Sequence, residues 1–379
     1  MDEGTHTEKE AVLQLMEEIQ VEILSRLPVN SLLRFKTVCK SWYSIINSTQ
    51  FIKKHLNHAH STHYNQYKDV LGLVIPSWDG SNRCVLYNEN SDGIVHAKEF
   101  GFPFQLVDVC NYCNGLICFN TAEHGILLWN PSLPMEYKTI PADYDMESPE
   151  FWVGMGYDST TDDYKTMRVP RCNRFSVVEL EVFSLKGSSW SKREISKDLT
   201  YTIQQKINTC TRDRLHWIGR YFDGRKMREL IVCFDIVEER LDLVNLPGKS
   251  THMFDYKDSL AVIDKTTLWV LVDYNGMKSS WNKIFNFSDK MYSEIMYSEI
   301  VDEDDYYFGY CCFTRDGKIL IMTRRHKLRI YDPKDGYVRD VVIQGDNNII
   351  REMGALSWFY ASPYVASLVS PRGLSNCEN

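Results

Sequence analysis

The sequence predicts a mostly β protein with a small α-helical N-terminal module: a few helices, then an irregular β-propeller of about six blades. Three observations predict it. Over the first sixty residues, apolar side chains recur every three or four positions. From about Val70 onward they fall in short runs rich in Val, Ile, Tyr, Phe and Trp, broken by Gly, Asp, Asn and Pro. Those runs recur at roughly 40–50 residues, the period of four-stranded propeller blades.

The helical elements come first. Val12, Leu15, Met16, Ile19, Ile23, Leu24 and Leu27 form an apolar stripe with Glu17, Glu18, Gln20 and Glu22 turned outward, and Pro28 ends the helix. Asn30 or Ser31 can cap a second helix carrying Leu32, Leu33 and Phe35. A third is expected to bury Val38, Trp42, Ile45 and Ile46. Ser48 or Thr49 can start a fourth with Phe51, Ile52 and Leu56. So small a core leaves apolar surface over and leans on a partner.

The strands follow in similar units. Gly115–Phe119 precedes Gly125–Pro131, Glu229–Asp235 precedes Arg240–Pro247, and Gly317–Met322 precedes Leu328–Pro333 and Tyr337–Ile343. Blades are expected near 70–100, 105–145, 151–195, 205–247, 257–300 and 305–345. The apolar segment Leu356–Val369 is left to return and complete the first blade. An irregular β-sandwich of similar strand count is the competing arrangement. The domain organisation is a disordered 1–10, a helical domain over 11–60, the propeller over 61–370 and a disordered tail over 371–379.

Composition excludes several function classes. In the 379 residues, 43 Lys and Arg stand against 51 Asp and Glu, and the net charge of −8 disfavours nucleic acid as the main partner. No stretch of 18 apolar residues exists to span a membrane, and the Met-Asp-Glu start is no secretory signal. The 11 cysteines are therefore read as reduced thiols of a cytoplasmic or nuclear protein. The glycan acceptor patterns at Asn47 and Asn286 then go unused.

No catalytic or cofactor motif stands out, and the 10 histidines are scattered. Cys110 and Cys113 make a CxxC without a second ligand pair, so core thiols are expected rather than a metal. Asp162-Asp163 and the Asp302-Glu303-Asp304-Asp305 run suit solvated loops. The tandem Met291–Ile295 and Met296–Ile300 is a perfect five-residue duplication, read as an insertion in a connecting loop.

The stretches Leu15–Pro28, Val29–Trp42 and Ile45–Phe51, with Leu27-Pro28, Arg34-Phe35-Lys36 and Cys39-Lys40-Ser41-Trp42 in register, resemble the F-box. Met16 stands where that family often has proline. The resemblance implies docking on a Skp-type adaptor and, through it, cullin and RING subunits of a ubiquitin ligase. The implied adaptor-binding residues are Leu15, Ile19, Ile23, Leu24, Leu27, Pro28, Leu32, Leu33, Phe35, Val38 and Trp42. The blocks Tyr112–Phe119, Leu128–Pro131, Gly154–Asp158 with Asp163–Lys165, Trp269-Val270, Ser279–Trp281 and Ile330–Asp332 resemble the F-box-associated, kelch-like repeats of plant proteins, in the order seen in the S-locus F-box group and its relatives. That group implies a non-catalytic receptor, with a basic S-RNase of the pistil as substrate in pollen-side self-incompatibility.

Recognition is then expected on blade-connecting loops held by a rigid scaffold. The candidates are the basic cluster Arg168, Arg171 and Arg174, the stretch Arg220-Tyr221 to Arg225, the acidic run Asp302, Glu303, Asp304 and Asp305, and Arg324 with Arg325. For a basic substrate the acidic run is the better candidate, through charge steering. A propeller that binds protein or glycan without assembling a ligase is the competing function, and a propeller hydrolase a third.

Overall fold

The computed structural model describes residues 16–60, 70–75, 83–89, 94–101, 106–121, 125–141, 151–170, 179–194, 201–203, 209–222, 224–248, 250–264, 267–274, 278–286, 311–313, 318–322, 328–340, 342–344 and 360–374. Four helices open the chain: α1 (described over 16–24), α2 (Val29–Phe35), α3 (Lys40–Asn47) and α4 (Thr49–His60). Ser48 caps α4 as the sequence suggests, its hydroxyl accepting from the Phe51 amide at 3.2 Å. Two expectations fail. Pro28, not Asn30 or Ser31, is the N-cap of α2, which has no side-chain cap; the Pro28 carbonyl accepts from the Ser31 and Leu32 amides. Proline here both closes α1 and presets the extended entry to α2. Val38 is not buried by α3 but stands in the exposed link before it.

The described strands form six sheets. Four of these are complete four-stranded antiparallel meanders, the blades of a β-propeller: 106–140, 151–194, 250–286 and 311–340. A further sheet joins Tyr201–Ile203 and Thr209–Thr211 to the long hairpin Arg214–Phe222/Met227–Asp235 and then Arg240–Asn245. In the remaining sheet, Tyr360–Tyr364 returns to pair antiparallel with Val70–Ile75, with Val70 opposite Tyr364, as the leftover apolar segment suggested. That sheet continues through Arg83–Glu89 and Ile94–Gly101 to Val342–Gln344, which runs parallel.

Strand patterns explain the packing. Leu116–Thr121, Gly125–Trp129 and Leu230–Asp235 are buried along almost their whole length, so they read as continuous apolar runs rather than alternating ones. One core lies between the 151–194 sheet and its successor, where Trp152, Leu180, Trp217 and Phe234 meet. Another joins the 106–140 and 151–194 sheets through Leu116, Leu128, Val153 and Leu185. Cys110, Cys113 and Cys118 belong to that second core, as the apolar context of the CxxC suggests.

The helical module is seated on the propeller. Leu24, Val29, Leu32, Ile45, Ile46 and Phe51 build its core, and Leu368, from the far end of the chain, completes it. Leu56 of α4 packs into the core of the 106–140 and 151–194 sheets, and Lys53 pairs with Asp162 at 2.6 Å. Within the stretch expected as a tail, Arg372–Leu374 form a 3₁₀ turn with Arg372 over the Tyr137 ring.

Candidate functional site

The helices divide into an inward and an outward set. Leu24 and Leu32 are buried, and Leu27, Leu33, Phe35 and Trp42 are half-buried around the same core. Phe35 and Trp42 hold each other with ring centroids 5.2 Å apart. Ile19, Ile23 and Val38, by contrast, are 51%, 58% and 61% exposed, with Met16 and Tyr43 equally open. Pro28 is exposed as well, and Leu15 lies outside the described residues. The single apolar stripe expected on α1 is therefore two stripes, one serving its own core and one left to solvent.

Charged residues fix α1 from the other side. Glu22 accepts from Lys54 of α4 at 2.7 Å and pairs with Arg26 one turn on. Lys54 first, then Arg26, pull its carboxyl down to about 2. His55 of α4 is buried, and its Nε2 donates to the Leu27 carbonyl at 2.9 Å, tying α4 to the α1–α2 link. Its Nδ1 has no hydrogen-bond partner among the described residues, and burial pushes the imidazole pKa down. Between α1 and the α3–α4 junction runs a groove of about 700 Å³ whose walls include Met16, Gln20, Ser44 and Phe51.

On the propeller, the sequence candidates separate. Arg168 is withdrawn from the surface cluster: it is buried, ion-paired to Glu181, and lies 4.0 Å from the Trp190 ring centroid and 5.1 Å from that of Phe151. Arg171, Arg174, the run Asp302, Glu303, Asp304 and Asp305, and Arg324 lie outside the described residues. Arg220, Tyr221 and Arg225 stay together on the hairpin Arg214–Phe222/Met227–Asp235. Arg220 faces its cross-strand partner Glu229 and bonds it at 2.9 Å, while Tyr221 leans on the core below. Sequence reading included Phe222 in its Arg220–Arg225 stretch but missed the cross-strand partner Met227; the two are 50% and 43% exposed at the hairpin tip. The available signal was an apolar residue on each side of the Gly224 turn.

The tip faces away from the helical module. The module reaches the propeller at the strand-one-to-two turn that carries Asp162, where Lys53 pairs with it. The 365–369 segment beside the module meets a strand-one-to-two turn at Gly115 and a three-to-four turn at Asn130. Lys165, just past such a turn, reaches the Ile236 carbonyl and Glu239 in the three-to-four turn of the next sheet, so these turns share one face. The Phe222–Met227 turn joins strands two and three and lies at the other end of nine-residue strands, roughly 25–30 Å away. The Lys165 cluster also explains the Asp158…Asp163-Tyr164-Lys165 block. Asp158 accepts from Lys165 at 2.9 Å and from the amides and hydroxyls of Thr160 and Thr161. Burial works against its ionisation, but these donors outweigh it and hold the carboxyl far below the usual range. These charges hold a turn and a sheet junction.

Among the described residues, no group of three or more His, Cys, Asp or Glu is placed to hold a metal, and no helix is long and apolar enough to cross a membrane. Residues 12–54 match the F-box domain, and residues 80–362 match the F-box associated beta propeller domain. The chain belongs to the plant F-box proteins with an associated β-propeller. An F-box/kelch-repeat protein of Arabidopsis thaliana is 31% identical over 292 residues, covering 71% of this chain and 78% of that protein. The Arabidopsis F-box protein CPR1 is 26% identical over 306 residues, 71% of each chain. A further Arabidopsis F-box protein is similar along 91% of this chain and 92% of its own, at 23% identity.

Proposed function

We propose that this F-box protein is the non-catalytic substrate receptor of a Skp–cullin–F-box ubiquitin ligase. The observation that carries the reading is the outward apolar set Ile19, Ile23 and Val38 on a module whose core is already filled without them. A Skp-type adaptor would cover that set, aided by Pro28 and the exposed edges of Leu27, Leu33, Phe35 and Trp42. Leu24 and Leu32 act from beneath, holding α1 and α2 in place. Cullin and RING subunits join through the adaptor. The propeller, read as a closed ring of six blades on the strength of the six sheets, captures a protein substrate and brings its lysines near activated ubiquitin. Proximity supplies the rate, so no cofactor is needed. The cytoplasm and nucleus are where such a ligase works.

The substrate surface we favour is the face carrying the Phe222–Met227 tip with Arg220, Tyr221 and Arg225. Arg171, Arg174 and Arg324 fall between second and third strands of their sheets, the same kind of connection. For the finer reading, a non-self S-RNase in pollen, the support is the S-locus resemblance, the net charge of −8 and the acidic run Asp302–Asp305.

Co-expression of the full chain with a Skp-type adaptor tests the receptor role. Wild type should bind tightly, and Ile23→Asp combined with Val38→Asp should weaken binding at least about 100-fold while the melting temperature holds, because both sites are exposed. A folded wild type that ignores the adaptor would leave a propeller that binds protein or glycan without a ligase. Passing a panel of S-RNases over the adaptor complex tests the substrate class, and uniform failure to bind would remove the S-RNase reading alone.

A further inference from the structure

We infer that residues 365–371 are a latch that locks the F-box to the propeller in one orientation, with Asn130, Gly115 and Leu368 as its positioning residues. After pairing with the first sheet, the chain leaves it at Tyr364 and passes between the two domains. Its side chains alternate. Ala366 and Leu368 pack into the F-box core with Leu24, Ile46 and Phe51. Val365 and Val369 pack into the propeller core beside Leu56 of α4, and Ser367 is buried on the same side. That period of two is how an extended strand serves two faces at once.

The propeller grips this segment with residues from two turns. Asn130, fully buried, donates from Nδ2 to the Ser367 and Val369 carbonyls at 3.0 and 2.7 Å. Its Oδ1 accepts from the Tyr364 hydroxyl at 2.8 Å and the Ser132 amide at 2.9 Å, so both ends of the carboxamide are used. Gly115 adopts φ +80° at a hairpin turn, and a Cβ there would lie 2.3 Å from Ser367 Oγ and 2.5 Å from the Val365 carbonyl oxygen. Ser370 Oγ bonds Glu136, and the 3₁₀ turn after it sets Arg372 over Tyr137. Leu368 thus enters the F-box core from a segment that the propeller holds on both sides. A fixed orientation sets the distance from any captured lysine to the adaptor. That consequence rests on the receptor reading, whereas the latch itself does not.

Amide hydrogen exchange on the full chain, alone and bound to a Skp-type adaptor, tests the latch. In wild type, residues 365–369 should exchange as slowly as α4; exchange at the rate of free chain would overturn the proposal whatever the variants do. Asn130→Ala and Leu368→Ser should still bind the adaptor. They should speed exchange in α4 and the Gly115 turn about tenfold and leave the hairpin Arg214–Asp235 unchanged. In a reconstituted ligase, the lysines on which the chain itself is ubiquitinated should be few in wild type and more numerous in the variants, because the domains then sample many orientations. Unchanged α4 exchange and an unchanged lysine set in both variants would sink the latch. Absence of ubiquitination in wild type would count against the receptor role, with the latch still decided by exchange.

Discussion

At the residue scale, two glycines with similar backbone angles separate the price of a left-handed φ from the price of a contact. Gly115 (φ +80°) and Gly224 (φ +88°) both sit in hairpin turns, but a Cβ at Gly224 would meet nothing within 4 Å. Gly224→Ala should therefore cost only the conformational term, about 1 kcal/mol. Gly115→Ala adds a clash with the Val365 carbonyl, which is backbone and cannot rotate away, and should cost upwards of about 3 kcal/mol. Chemical denaturation of the two variants measures both; equal losses would mean that the 365–369 segment does not press on Gly115. The Tyr112–Phe119 block was legible from the sequence, but the contact of its Gly115 with Ser367 was not, because nothing in local patterning links positions so far apart. Arg168 escaped for a related reason: its aromatic walls, Phe151 and Trp190, come from different strands and meet only in the folded sheet.

At the scale of elements, α1 tests whether one short helix carries two apolar faces. Leu24 is buried and Ile19 exposed, so Leu24→Ala should lower stability by about 2–5 kcal/mol, while Ile19→Ser should stay within about 0.5 kcal/mol. Adaptor affinity should reverse that order, falling more steeply in Ile19→Ser when measured well below the melting temperature. Calorimetry and titration on the same pair decide it, and comparable stability losses would return Ile19 to the core. Periodicity found this helix because i, i+3 and i+4 spacing is a property of the helix alone. It could not split the stripe, since spacing counts apolar residues without saying which meet their own core and which await a partner. The α2 start was misplaced for a simpler reason: Asn30 and Ser31 are good caps in isolation, yet Pro28 had already set the entry angle. Strands fared better, because their runs are short and bounded by turn residues, and central ones such as Gly125–Trp129 are buried throughout, which fixes them locally.

For the whole molecule, His55 and His216, buried among the described residues, make stability depend on pH in both domains at once. His216 is fully buried in the sheet that follows 151–194, its Nδ1 donating to the Thr209 carbonyl at 3.0 Å and its Nε2 accepting from the Tyr274 hydroxyl at 2.9 Å. Burial chiefly, with the nearby Arg214 cation, pushes its pKa down from 6.5 to about 4. His55 in the F-box shifts the same way, through burial and its neighbour His58. As pH falls below about 6.5, the unfolded chain takes up protons that the folded chain refuses, so stability drops until the folded groups titrate too. His216 alone accounts for about 3 kcal/mol of loss by the time pH reaches about 4. The carboxyls of Glu22 and Asp158, held below their usual range, begin to cost stability as pH falls through that usual range, where the unfolded chain protonates first. The loss is complete once the folded ion pairs are protonated. Melting temperatures of the wild type and His216→Gln between pH 7.5 and 4.5 check this. The wild type should lose stability steadily below 6.5 and the variant should show a shallower slope. If Leu368 and Leu56 tie the F-box to the propeller as their packing implies, His55 and His216 will act on one shared transition rather than two. Two separate transitions in the wild type, each with its own pH slope, would mean that the domains unfold apart, and equal slopes in wild type and variant would mean that His216 is not the neutral, buried group described.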